Sequence, residues 1–134
     1  MLKTRINLLN YKIFFYLCLT LLVFLSIAPQ DVNSSLLSGM RVTKSGFFQH
    51  VFGYFVLSAL ACQTFRGNNI RIILVGILIM GAGLEIVQYA MPSRTFNIYD
   101  LVANLVGVLT GSGFLYWRYF VNGVRLSLLS LFCK

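Results

Sequence analysis

Seven polar residues carry the chemistry available to this 134-residue chain: His50, Tyr54, Glu85, Gln88, Arg94, Asp100 and Asn104. His50 is the chain's one histidine, and Glu85 and Asp100 are two of its three acidic residues, Asp31 being the third. An imidazole beside carboxylates can exchange protons with a substrate. An arginine can grip a phosphate or carboxylate with two parallel hydrogen bonds. Carboxamides and a phenol supply further donors and acceptors. The parts of the commoner catalytic and metal-binding motifs are missing: the sequence contains no HExxH, GxSxG or CxxC. Cys18 and Cys62 sit inside apolar runs and Cys133 is penultimate, so the cysteines read as small hydrophobes rather than ligands or disulfides. With a single histidine, a metal centre would have to draw its remaining ligands from carboxylates. The sequence therefore assigns no metal site, no cofactor and no catalytic residue.

The elements that hold these residues are membrane helices. Apolar residues make up 58% of the chain and charged residues 10%, against about 25% charged in soluble domains. So few charges cannot cover a water-facing surface. The net charge of +8 is dispersed between apolar runs, with no basic groove or helix, which argues against nucleic acid as a partner. Crossing the hydrocarbon core takes roughly 20 apolar residues. Four segments come close, at about residues 13–28, 46–65, 70–91 and 98–120, with an interfacial tail at 121–134. Expected, then, is a single all-α membrane domain, a bundle of four transmembrane helices. Tyr116, Trp117, Tyr119 and Phe120 form an aromatic belt at the end of the fourth span.

Basic residues orient the bundle. Lys3, Arg5, Lys12, Arg66, Arg71, Arg118, Arg125 and Lys134 fall on one side of a four-span arrangement; Arg41, Lys44 and Arg94 fall on the other. The positive-inside bias puts both termini in the cytoplasm of a bacterial cytoplasmic (inner) membrane. The first segment also has the layout of a signal peptide, with Ser26-x-Ala28 as its cleavage site. Pro29 directly after Ala28 obstructs cleavage, so a retained helix is expected.

On this topology the polar residues share a face and a depth. His50, Gly53, Tyr54, Ser58 and Ala61 repeat at 3-and-4 spacing, as do Gly81, Glu85 and Gln88, and then Asp100, Ala103, Asn104, Gly107 and Gly111. The small residues are expected to pack helices closely: Gly81 on the third helix, and Ala103, Gly107 and Gly111, which repeat the GxxxG interval on the fourth. His50 lies ~6 Å and Glu85 ~9 Å from the outer ends of their helices at 1.5 Å per residue. Buried polar groups are costly in lipid and mark functional sites by default. A purely structural role, in which Glu85 and Asp100 pair with Arg94 and His50 to tie helix ends, is the competing reading.

These residues resemble the VanZ-like family of bacterial membrane proteins over about residues 46–113. The resemblance rests on His50-x3-Tyr54, Gly83-Leu84-Glu85-x2-Gln88 and the run from Ser93 to Gly107, which holds Arg94-x5-Asp100 and Asp100-x3-Asn104-x2-Gly107. Where members often carry an Asp-Lys pair, this chain has Gly46-Phe47, so no lysine role is carried over to that place. The resemblance implies a multi-pass protein of the cell envelope, associated through the family's namesake with glycopeptide (teicoplanin) resistance; it implies no reaction.

The leading expectation is a non-catalytic site near the outer leaflet that binds a membrane lipid or lipid-linked cell-wall precursor. Arg94 would take the phosphate or carboxylate, with Asn104 and Gln88 as hydrogen-bonding partners and Tyr54 as a wall. Two alternatives stay open. One is a membrane enzyme acting on lipid-linked phosphate or sugar through Glu85, Asp100 and His50. The other is a proton-coupled transporter with Glu85 as relay. The glycine stripe would also permit a homo-oligomer.

Overall fold

A computed structural model describes residues 2–28, 46–65, 69–91 and 97–132. Among these residues the chain is four helices and no strands: α1 (Leu2–Ile27), α2 (Phe47–Thr64), α3 (Asn69–Tyr89) and α4 (Ile98–Phe132). Arg94, Arg41, Lys44 and Arg66 lie outside the described residues.

Each helix turns a narrow stripe inward. On α2 the buried residues are Tyr54, Leu57, Ser58, Ala61 and Thr64; on α3 they are Ile77, Gly81, Glu85 and Gln88. On α4 the buried stripe is Ala103, Asn104, Gly107, Val108, Gly111 and Leu115. The opposite faces are large and apolar, with Phe14, Leu17 and Phe24 on α1, Phe52 on α2, Ile72, Ile79 and Ile86 on α3, and Leu109 and Phe114 on α4 all exposed. A soluble monomer rarely exposes apolar patches of this extent. With lipid as the solvent such a surface is at rest, while the backbone polar groups are satisfied within each helix. This is a membrane protein of all-α architecture.

Among the described residues three helices are long and apolar enough to cross a bilayer, through Leu9–Ile27, Asn69–Tyr89 and Ile98–Asn122. The sequence predicts four such spans, and α2 is the one that falls short. It has 18 residues, about 27 Å at 1.5 Å per residue. Gln49 and His50 at one end and Gln63 and Thr64 at the other dilute its apolar run. What α2 lacks in hydropathy it has in neighbours. It lies along α4 over the most extensive interface of the bundle and packs against α1 as well. A helix enclosed in this way meets less lipid and tolerates more polar residues.

The α2–α4 interface is a backbone-to-backbone approach. A Cβ placed on Gly107 would stand 2.6 Å from the Val51 carbonyl oxygen and 2.8 Å from Tyr54 Cβ. One placed on Gly111 would run into the Ser58 hydroxyl and the Phe55 carbonyl. The Ser58 hydroxyl, itself fully buried, donates to the Phe55 carbonyl at 3.0 Å and reaches towards the Gly107 carbonyl at 3.5 Å. In lipid there is no hydrophobic drive to bring helices together, so this close packing supplies the attraction instead.

α1 joins on the far side of α2. Its buried Phe15 meets Phe65 edge to face, centroids 5.3 Å apart, and Leu22 packs over Gly53. The fourth helix continues without a break from its apolar part to Phe132, 35 residues in all. The segment expected as an interfacial tail, from Val121 on, is helical to Phe132 and continues α4.

Candidate functional site

The site is built at the end of the bundle where α2 and α4 begin and α3 finishes. α2 starts from Gly46, whose φ of 63° lies in the left-handed region. A side chain there would be strained by about 1–2 kcal/mol, which is a physical reason for glycine at this position. The Gly46 carbonyl accepts from the backbone N–H groups of Gln49 and His50 at 2.9 and 3.1 Å, closing the first turn and setting His50 on the inner face. At the start of α4, Asn97 acts as N-cap: its side-chain oxygen accepts from the Tyr99 N–H at 3.1 Å, and its carbonyl accepts from the Asp100 N–H at 3.0 Å. Asp100 therefore stands in the first turn of α4, where the helix dipole favours a negative charge. Asn97 passes unremarked in the sequence reading, although an asparagine three residues before an aspartate at a helix start is the pattern that identifies a cap.

Four of the seven polar residues converge. His50 Nδ1 lies 2.9 Å from Asn104 Oδ1 and 3.8 Å from Glu85 Oε1. With the ring proton on Nδ1, His50 donates to the Asn104 carbonyl oxygen and leaves Nε2 as the acceptor nitrogen. Asp100 joins them: one ligand atom each from His50, Glu85 and Asp100 lie within 4.8 Å of one another. Glu85 and Asn104 are each 2% exposed. The His50 side chain keeps 20% of its surface accessible, so the imidazole is the open edge of the cluster.

Tyr54 and Gly81 form the floor. Tyr54 is buried, and its hydroxyl lies so close to Gly81 that a Cβ on that glycine would stand 2.6 Å from it. The same Cβ would be 3.1 Å from the Asn104 amide nitrogen. Gly81 thus makes room for two of the polar side chains at once. Gln88 turns elsewhere, its amide donating to the Ser26 carbonyl at 2.9 Å and tying α3 to α1. At the opposite end of the bundle the Tyr119 hydroxyl donates to Gln63 Oε1 at 2.8 Å, a cross-link between α4 and α2 that the sequence reading did not contain. Both ties join polar groups on different helices, and periodicity within one helix carries no information about them.

The description VanZ/LLP1 fits residues 4–121, nearly the whole chain and all four helices. The chain belongs to the VanZ/LLP1 family. The match extends the resemblance read from residues 46–113 to include α1 and the loop that follows it. No curated protein and no solved structure is similar enough to this VanZ/LLP1 chain to be matched. The polar cluster of this VanZ/LLP1 member is composed of residues from three helices, so the family's bundle has to be assembled before the cluster exists.

Chemically the arrangement offers an imidazole with one accessible edge, two carboxylates and a carboxamide in a largely apolar setting. Electrostatic interactions are stronger there than in water. Such a set can hold a cation through His50, Glu85 and Asp100, or present donors to a phosphate or sugar hydroxyl.

Proposed function

We propose that this VanZ/LLP1 protein binds the polar headgroup of a membrane lipid or lipid-linked cell-wall precursor at the polar cluster of His50, Tyr54, Glu85, Asp100 and Asn104. The observation that carries the reading is the Asn104 amide nitrogen, which is buried and has no hydrogen-bond partner among the described residues. A buried donor left unsatisfied costs about 1–3 kcal/mol. An acceptor oxygen from a bound phosphate, sugar or water removes that cost. The pocket's open edge at His50 sits at the end of the helices, the level at which headgroups lie. Arg94, in the connection between α3 and α4, is the sequence's candidate for the anionic group of the same ligand.

The reading includes a topology: α2 is the fourth span, both termini are cytoplasmic, and the pocket faces the outer leaflet of the cytoplasmic membrane. The eight-to-three division of the eleven basic residues supports it. A fluorescent reporter that matures only in the cytoplasm, fused after Lys134, is expected to light up. A dark fusion of full-length, membrane-inserted protein reverses the topology and moves the pocket to the inner leaflet.

Headgroup binding is tested by mass spectrometry of lipids retained through purification in a mild neutral detergent. Wild-type protein is expected to retain one phospholipid or polyprenyl-linked species above the bulk composition, and Asn104→Leu and Arg94→Ala to lose at least ~10-fold of it, the equivalent of 1.4 kcal/mol. Retention at bulk composition by the wild type refutes the reading. Sequestration of such headgroups is also the simplest route from this protein to glycopeptide tolerance, since a shielded precursor is a poorer target. Expression in a Gram-positive host at matched levels is expected to raise teicoplanin tolerance for wild type and not for Asn104→Leu.

A further inference from the structure

We infer that His50, Glu85 and Asp100 form a binding site for a divalent first-row transition ion of the Zn²⁺ or Mn²⁺ kind, with Asn104 as an auxiliary oxygen ligand. The inference rests on reading this cluster as a ligand pocket, and adds the cation through which the headgroup's phosphate would be held.

The first argument is geometric. The three ligand atoms lie within 4.8 Å of one another, and the His50 Nδ1 to Glu85 Oε1 separation is 3.8 Å. Metal–ligand bonds of about 2.0–2.2 Å bring adjacent ligands to roughly 3.0 Å apart at a right angle and 3.5 Å at the tetrahedral angle. Closing the observed cluster on an ion therefore takes side-chain movements of ~1 Å or less, within the range of small rotamer adjustments. The 2.9 Å between His50 Nδ1 and Asn104 Oδ1 is already the edge expected between two ligands of one ion.

Charge is the second argument. Two carboxylates beside one imidazole complement the charge of a divalent ion. One nitrogen and two or three oxygens form a borderline-hard donor set, suited to Zn²⁺ or Mn²⁺ and too poor in oxygen for Ca²⁺.

Independent of both is the state of Asn104. Its side chain is 2% exposed and its amide nitrogen has no partner among the described residues. Three protein ligands leave coordination positions open, and an oxygen bound in one of them, from water or phosphate, is the acceptor that this N–H lacks.

The test uses full-length protein in neutral detergent, stripped with a chelator and then dialysed, with no added lipid. Calorimetric titration with Zn²⁺ and with Mn²⁺ is expected to reveal one site per chain for at least one of them. Glu85→Gln and Asp100→Asn, which keep shape and remove charge, are expected to weaken that site at least 10-fold, and Gln63→Ala at the other end of the bundle to leave it unchanged. Co²⁺ substitution supplies a second readout: a visible absorption band is expected in the wild type and not in a Glu85→Gln protein that still elutes as the folded, monodisperse species. Absence of a stoichiometric site for both ions, or equal affinity in wild type and both carboxamide variants, overturns the inference. Because no lipid is present, these outcomes leave the headgroup reading to its own lipid analysis, and either can fail alone.

Discussion

Gly111→Leu is expected to prevent the bundle from assembling, with loss of the monodisperse detergent-solubilised species and of any cooperative thermal transition. Two effects oppose each other at this position. Leucine is a better helix former than glycine by roughly 0.6–1 kcal/mol in water, which taken alone would stabilise α4. Against that stands the contact with α2: even a Cβ on Gly111 collides with the Ser58 hydroxyl and the Phe55 carbonyl. The serine hydroxyl can rotate, but the carbonyl is fixed in the α2 backbone. The helices must separate, and the close packing that holds them in lipid is lost along the Ala103–Gly107–Gly111 stripe. Overpacking in cores costs about 1–3 kcal/mol where side chains can yield; here backbone must yield, so at least ~3 kcal/mol is expected and the contact decides the sign. Gly83→Leu is the matched control. No described residue lies within 4 Å of a Cβ at Gly83, and its melting behaviour is expected to match the wild type. Equal melting of both variants would mean that α2 and α4 do not meet as described.

Gly81→Leu is expected to abolish ligand binding at the polar cluster without altering any polar residue. A Cβ on Gly81 stands 2.6 Å from the Tyr54 hydroxyl and 3.1 Å from the Asn104 amide nitrogen. Tyr54 is 2% exposed and has nowhere to retreat. A leucine therefore displaces Asn104, which takes the 2.9 Å contact away from His50 and widens the cluster. Helix ends and the α2–α4 stripe are untouched, so the protein is expected to remain inserted and folded, with its melting point lowered in keeping with the same ~1–3 kcal/mol of overpacking. Lipid retention and metal titration are expected to fall as far as in Asn104→Leu. Gly76→Leu, on the open face of α3, leaves both unchanged. A Gly81→Leu protein that keeps wild-type binding would show that the pocket does not depend on the α3–α2 approach.

The two glycine series separate the roles of the inner stripes. Gly107 and Gly111 set how near α2 comes to α4, whereas Gly81 sets how much room the polar side chains have once it is there. Polar ties fix the ends: Gln88 holds α3 to α1 through the Ser26 carbonyl, and Tyr119 holds α4 to Gln63. Interhelical hydrogen bonds in membranes average only ~0.6 kcal/mol, so each tie orients a helix more than it stabilises the bundle. The family assignment to VanZ/LLP1, over residues 4–121, covers all of these contacts.

Membrane residence was legible from composition, because a chain with 10% charged residues has no means of facing water. The inward faces of α2, α3 and α4 were legible too: 3.6-residue periodicity puts His50 with Tyr54, Glu85 with Gly81, and Asp100 with Asn104 on single stripes. Periodicity describes directions around one helix axis and is silent on distances between axes. That is why Gln88, on the same stripe as Glu85, could be read as part of the cluster although its amide reaches α1. His50 does stand beside Glu85 at 3.8 Å, but its shorter contact, 2.9 Å to the Asn104 amide oxygen, is one that periodicity does not rank. α1 contributes no residue to the polar cluster, so its docking is revealed only across space, by Phe15 and Leu22 against Phe65 and Gly53 and by the Ser26 carbonyl that accepts from Gln88. The same limit applies to α2, whose polar ends shorten its apolar run while its neighbours enclose it. Lipid selects apolar helices by a one-dimensional criterion, length and hydropathy; the position of one helix against another is selected by the few side chains small enough to let backbones touch, and that choice exists only once the bundle is packed.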